Sequence, residues 1–340
     1  MKQNDFARIM TKYFSGFLTS VRNVSSHTIR SYRNTFRQLL IFMRDVKSIP
    51  PERLNFKDIK ADTIVEFLVC LEKNNNISIS TRNQRLAAVR SFYRYAQAEY
   101  PDYLLEMQRI INIPFKKKPR PVVGYLTKEE MKLLLDQPDV GKSKERRDLA
   151  LMAVLYDTGA RIQELIDLCV KDVRLHSPAT ITLTGKGSKS RPVPIMGNTV
   201  VLLSKYMDDF NLKDNGRQQN PLFHNSRNVK FTRPGICYIL NKYFLRAKEN
   251  SPGIILCDSI HPHMLRHAKA VHMLESGVAL IYIRDFLGHV SITTTEIYLK
   301  METELKRSAL EKVYPDVVTQ DIPEWREDTE LLQWLDDFCR

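Results

Sequence analysis

Leu287-Gly288-His289-Val290-Ser291-Ile292-Thr293-Thr294-Thr295-Glu296-Ile297-Tyr298 is the stretch on which the reading of this chain turns. A tyrosine nine residues after a Gly-His pair means little alone. It gains weight from three segments upstream: Thr158-Gly159-Ala160-Arg161-Ile162-Gln163-Glu164-Leu165, Gly185-Lys186-Gly187 and His263-Met264-Leu265-Arg266-His267. Together they put one phenol in company with cations and hydrogen-bonding groups suited to a phosphate.

Arg161, Lys186, His263, Arg266, His289 and Tyr298 form a coherent chemical kit. Cleavage of a phosphodiester concentrates charge on its nonbridging oxygens. Arginine is planar, permanently charged and able to grip two oxygens at once, so two arginines suit that task. Attack by a phenol needs a proton acceptor, because tyrosine's ordinary pKa is about 10. The departing oxygen needs a proton donor. Histidine can fill the first role and lysine the second, with Lys189 competing with Lys186 for it. No metal or other cofactor is required. His261, His263, His267, His272 and Cys257 could suggest a metal site, but a histidine pair four residues apart without the glutamate of H-E-x-x-H is weak support.

The 340-residue chain is long enough for two domains, and 43% apolar residues are enough to build real cores. A formal charge of +13 favours a polyanionic partner, although a merely basic protein is the plainer alternative. The charge is uneven. Residues 1–120 carry 22 basic and 10 acidic side chains, residues 121–318 carry 28 and 22, and residues 319–340 carry two and seven. The five cysteines are scattered and never spaced C-x-x-C, which argues against a disulfide framework or zinc knuckle. No apolar run reaches the roughly 18 residues of a membrane span. The N-terminus lacks a signal-peptide pattern, so the expected location is cytoplasmic, and nucleoid-associated when bound to DNA.

Residues 1–113 read as a helical domain. Apolar positions recur at helical spacing over Thr28–Phe42, Ala61–Lys73 and Ser80–Glu99. Arg30, Arg33 and Arg37 on the first of these, and Arg82, Arg85 and Arg90 on the third, are expected to face outward. Such faces are either solvated or phosphate-binding. Residues 114–124 read as a basic Pro-rich linker, in which Lys116, Lys117, Lys118 and Arg120 suit either a strap on a DNA backbone or a solvated tether. Residues 125–318 open with a capping box at Thr127-Lys128-Glu129-Glu130. Helices are expected near 149–156, 162–168, 199–210, 234–249, 263–275, 279–287 and 293–305, with a hairpin of strands 180–184 and 191–195. Residues 319–340 form an acidic tail with an amphipathic helix near 327–338. The fold class is therefore mainly α with a small β-hairpin or sheet (α+β).

The four motifs, in this order, resemble those of the tyrosine recombinase (phage integrase) family over almost the whole chain. Thr158–Leu165 resembles the family's first-arginine box, and Gly185–Pro194 its β-hairpin lysine segment. His263–His267 is similar to its H-x-L-R-H box, and Leu287–His289 with Thr294–Tyr298 to its final box and nucleophile. Thr28–Tyr32 and Arg90–Tyr95 resemble the helical, SAM-like core-binding domain that precedes the catalytic domain. Met264 and Ala268-Lys269 depart from the family pattern without removing a catalytic group, and Lys269 is a candidate for packing or for the DNA side.

The resemblance implies a role for each matched residue. Tyr298 would attack the scissile phosphate, giving a 3′-phosphotyrosine and a free 5′ hydroxyl. Arg161 and Arg266 would clamp the nonbridging oxygens, and Lys186 would protonate the leaving oxygen. His263 would assist proton removal from Tyr298, and His289 would hydrogen-bond the phosphate. Glu164 would orient Arg161, and His267 would support the site by hydrogen bonding. The expected partner is double-stranded DNA with paired inverted core half-sites, bound by a homodimer on each site and a homotetramer in the synapse. Exchange would pass through a Holliday junction, with C-terminal tails exchanged between protomers. A simple two-domain integrase or transposase of a mobile element is the first expectation. The alternatives are a chromosome dimer resolvase of the Xer type and a type IB topoisomerase.

Overall fold

The computed structural model describes residues 5–117, 124–185, 187, 189–214, 216–254 and 257–288. Lys118, Arg120, Lys186, His289, Tyr298 and the helices expected at 293–305 and 327–338 lie outside the described residues. The chain divides into two compact units, Met1–Pro121 and Val122–Arg340.

In the first unit, helix α1 (Asp5–Lys12) continues into a π-helical segment, Tyr13–Val21. Helices α2 (Ser26–Asp45), α3 (Ala61–Asn75), α4 (Ile79–Ala96) and α5 (Leu104–Asn112) follow. Local chemistry sets their ends. Ser25 and Ser78 accept from the Thr28 and Thr81 amides, satisfying donors that a helix start leaves orphaned. Asn76 ends α3 in the left-handed region at φ 49°, a conformation asparagine tolerates better than most residues.

Apolar faces of these helices meet around Phe92 of α4. Its ring lies 4.9 Å from Phe36 and 5.4 Å from both Phe6 and Tyr13, all edge-on. Edge-to-face contact suits the ring quadrupoles and adds to the large apolar area each ring buries. The Tyr13 hydroxyl is not wasted, since it donates to Ser91 Oγ at 2.8 Å. Neither α1, although Phe6, Ile9 and Tyr13 recur at helical spacing, nor the π-helical segment, where Tyr13-Phe14 and Phe17-Leu18 crowd apolar residues onto adjacent positions, was expected from the sequence.

The arginine faces differ from expectation. Arg30, Arg33 and Arg37 of α2 are exposed. Arg82 is buried at 5% exposure, with Nε 3.7 Å from Glu72. Half-buried Arg85 donates to Ser31 O and Thr35 Oγ1, and Arg90 lies over the Phe115 ring at 4.7 Å. The outward placement of these α4 arginines is thus corrected: α3 takes up Arg82, α2 takes up Arg85, and the Phe115 ring covers Arg90. The start of the linker is similarly engaged. Lys116 Nζ pairs with Glu72 at 2.7 Å, while its backbone exchanges two hydrogen bonds with Asn83. Lys117 remains exposed.

The second unit begins with α6 (Lys128–Leu135), where Thr127 and Glu130 form the expected reciprocal cap. Next come α7 (Ser143–Thr158) and α8 (Ile162–Asp167). Strands β1 (Val173–Arg174), β2 (Thr180–Thr184) and β3 (Ser190–Pro194) form an antiparallel sheet in that order. Its register sets Ile181 opposite Val193, and these two with Leu183 are the buried face. Two-residue β1 is too short to show alternation in sequence. Helices α9 (Gly197–Asp209), α10 (Arg233–Asn250), α11 (Pro262–Glu275) and α12 (Leu280–Leu287) complete the unit. Helix α7 is its central rod, with Leu151, Met152, Val154 and Leu155 fully buried, and α9 and α11 pack against it. Among the described residues no helix is long and apolar enough to cross a membrane.

Candidate active site

Gly159 is where the site begins. It ends α7 at φ +56°, a left-handed conformation that glycine adopts without penalty. A Cβ there would lie 2.7 Å from Leu287 Cδ2, so close approach of α12 also demands glycine. The turn delivers Arg161 to the start of α8. Arg161 N donates to Glu164 Oε2 at 3.0 Å, and its guanidinium donates through Nη1 to Oε1 at 2.7 Å. A carboxylate three residues into the helix thus caps the backbone and orients the arginine together.

Arg191 of β3 reaches the same carboxylate from the other side. Nη1 and Nη2 donate to Glu164 Oε1 and Oε2 at 3.3 and 3.0 Å, and Nε donates to Phe286 O at 3.0 Å. Burial of Glu164 would raise its pKa. The hydrogen bonds from Arg191 and the Arg161 amide, reinforced by both guanidinium charges, outweigh that penalty and bring it to about 2.

Helix α11 supplies Arg266, which is 3% exposed. It donates through Nη1 to Gly159 O at 2.5 Å and through Nη2 to Leu287 O at 2.7 Å. Arg161 Nη2 donates to the adjacent Gly288 O at 3.1 Å. Three guanidinium groups therefore converge on three successive carbonyls, Phe286, Leu287 and Gly288, at the negative end of α12. Gly288 itself is left-handed at φ +64°, and a Cβ there would meet Arg191 Nη1 at 2.8 Å. This turn leads directly into His289.

His263 stands in the first turn of α11. It is exposed, yet enough protein surrounds the ring to penalise its charged form. That desolvation, followed by the charges of Arg266, His261 and Arg161, lowers its pKa, leaving the neutral, proton-accepting form dominant at neutral pH. His267 lies one turn on, its ring 6.3 Å from that of His263. Burial and its histidine neighbours bring its pKa down to about 4. Among the described residues no group of three or more His, Cys, Asp or Glu is arranged to hold a metal ion.

The structure thus brings together Arg161, Glu164, His263, Arg266 and His267. Reading the sequence missed Arg191, although it stands in the quoted hairpin segment; an arginine before Pro-Val-Pro reads simply as a strand residue. Lys269, weighed for packing or the DNA side, pairs with Asp157 at 3.3 Å and lies over the Tyr156 ring. Asp157 also accepts from Thr199 Oγ1 at 2.6 Å, so the lysine fastens α11 to α7 and α9.

A family model described as the phage integrase family matches residues 124–304, and one for the phage integrase N-terminal SAM-like domain matches 12–100. The y4rC protein of Sinorhizobium fredii, named as an integrase/recombinase, is 36% identical over 98% of both chains. This chain belongs to the phage integrase family. It is a tyrosine recombinase with the family's helical SAM-like domain preceding its catalytic domain. The tyrosine recombinase XerC of Oceanobacillus iheyensis is 30% identical over 89% of this chain and 94% of its own. The fold is similar to that of the XerH site-specific recombinase bound to its difH substrate, at TM-score 0.65 and 23% identity. That match covers 87% of this chain and 82% of XerH. The Tn1549 transposon integrase in complex with transposon right end DNA matches at TM-score 0.65 and 15% identity. It covers 89% of this chain and 98% of that one. The relatives are named integrases and recombinases, which leaves the type IB topoisomerase alternative without support.

Gly288→Ala tests the tightness of the α12 terminus. The backbone conformation and the clash with Arg191 together should cost about 1–3 kcal/mol, measured by urea denaturation. A variant within about 0.5 kcal/mol of the parent, the range of neutral surface changes, would show that the turn is not held as described.

Proposed function

We propose that this recombinase cuts and rejoins DNA at the paired inverted core sites of a mobile element, with Tyr298 as nucleophile. The observation that carries the reading is the convergence of Arg161, oriented by Glu164, and Arg266 on the turn that leads to His289. In the reaction the Tyr298 oxygen attacks the scissile phosphorus while its proton passes to His263. Arg161, Arg266 and His289 hold the nonbridging oxygens. Lys186 gives a proton to the departing 5′ oxygen. The products are a 3′-phosphotyrosine and a free 5′ hydroxyl, and the new tyrosyl–phosphate bond preserves the phosphodiester energy for rejoining. Two such exchanges proceed through a Holliday junction.

Two protomers occupy the inverted half-sites, and two such dimers form the synaptic tetramer. The acidic tail, with Leu331, Leu332, Trp334, Leu335 and Phe338, docks onto a neighbouring protomer. Arg30, Arg33, Arg37 and Lys117 contact phosphates, supported by their exposure and by the basic excess of residues 1–120. Arg85 and Arg90 contribute through the hydrogen bonds and ring contact that shape the α4 surface. The likeness over 98% of both chains to y4rC, named an integrase/recombinase, supports placing integration ahead of chromosome dimer resolution. The enzyme acts on DNA of the nucleoid, in the cytoplasm.

Incubation with a nicked suicide substrate should trap a covalent protein–DNA adduct that Tyr298→Phe abolishes. An adduct that survives this change removes Tyr298 as nucleophile. Gel-shift titration across a range of salt separates the binding assignments. Replacing Arg30, Arg33 and Arg37 with Ala should reduce the log–log salt slope by up to about three. Deletion of 319–340 should weaken cooperative filling of paired half-sites while single-site affinity holds. An unchanged slope or unchanged cooperativity overturns the corresponding contact.

A further inference from the structure

The side chain of Arg191 is 16% exposed, and each of its three nitrogens has a partner within the protein. It joins Glu164, strand β3 and the end of α12. Its backbone stands at the second position of β3, directly after Ser190, on the strand leaving the turn that carries Lys186. Its η nitrogens span both oxygens of Glu164, the carboxylate that orients Arg161. Its ε nitrogen fixes Phe286 O, two residues before the glycine turn that leads to His289. The guanidinium also packs against Gly288, where an added Cβ would lie 2.8 Å from Nη1.

We propose that Arg191 is a positioning residue for strand cleavage, locking strand β3, the Glu164–Arg161 pair and the α12 terminus into one rigid assembly. The inference rests on the strand-cleavage reading above and assigns Arg191 no contact with DNA. Planar geometry is essential to the role. A guanidinium presents donors along two edges at once, one pair to a carboxylate and a third to a carbonyl, whereas an ammonium is a point donor. Glu164 cannot hold both ends alone, because a carboxylate only accepts and the Phe286 carbonyl needs a donor. Misplacement of reacting groups by about 1 Å is enough to slow a step by ~100-fold.

The test compares wild type, Arg191→Ala and Arg191→Lys in full-length protein on a nicked suicide substrate. Half-site affinity is measured by gel shift, and single-turnover cleavage at saturating protein. Arg191→Ala should bind the half-site within about threefold of wild type yet cleave ~100-fold more slowly, and added guanidinium ion should restore part of the rate relative to matched sodium salt. Arg191→Lys should fall between the two, and it carries the test if the alanine variant does not fold. Hydrogen exchange, which needs no reaction, should show faster exchange at the 286–288 amides in both variants while α7 stays protected. Cleavage within about threefold of wild type, a loss confined to affinity, or unaltered exchange at 286–288 overturns the proposal. A wild-type protein that forms no adduct, or an adduct persisting in Tyr298→Phe, signals instead that the cleavage reading has failed, and exchange then still decides whether Arg191 holds the turn.

Discussion

A single buried carboxylate, Glu164, anchors the catalytic unit. It receives Arg161 from its own helix and Arg191 from the neighbouring strand, and the two guanidinium groups extend beyond it to carbonyls at the end of α12. Burying one charge without partners is costly, and removing either arginine leaves that cost uncompensated. The hairpin, the first-arginine turn and the last described helix are thus interdependent. Arg266 adds a second tie from α11, bridging Gly159 O and Leu287 O. The arginines proposed to hold phosphate therefore spend part of their hydrogen-bonding capacity on the backbone that leads to His289.

This arrangement explains why two glycines flank the site. Gly159 and Gly288 both adopt left-handed conformations, and both stand where a methyl group would strike a neighbour, Leu287 in one case and Arg191 in the other. Their backbones turn sharply, exposing carbonyls to guanidinium donors. The surrounding core is conventional by comparison. Helix α7 buries its apolar side under α9 and α11, and the Lys269–Asp157–Thr199 bonds fasten those three helices beside the site.

Much of this was legible in the sequence, for identifiable reasons. Amphipathic periodicity located α2, α3 and α4, and the Thr127–Glu130 cap marked the start of α6. The strands of the hairpin and most helices of the second unit followed from alternation, glycine and proline. The core residues of the site were readable because the proposed chemistry dictates their types: two arginines, a carboxylate and a histidine at fixed spacing. What escaped was tertiary in origin. Arg82 reads as an outward arginine like those of α2, yet it is buried beside Glu72 while Arg30, Arg33 and Arg37 are exposed, a difference that packing of α3 on α4 creates. Arg191 reads as an edge residue until Glu164, 27 positions earlier in sequence, is placed opposite it. Short β1 and the π-helical continuation of α1 depend on partners rather than on local pattern.

Two arginines hold Glu164 as an anion, and its titration reports on that state. Its pKa lies at about 2, below the ordinary 4.5, so the stability it contributes is present above pH 4.5 and is lost as pH falls toward 2. Carbon-13 NMR of the labelled Glu164 carboxyl, assigned by comparison with Glu164→Gln, follows that ionisation in the intact protein. The carboxylate should remain ionised as pH drops through 4.5 and protonate only near 2 or on unfolding. A carboxyl that titrates at its ordinary value in the folded protein would contradict this.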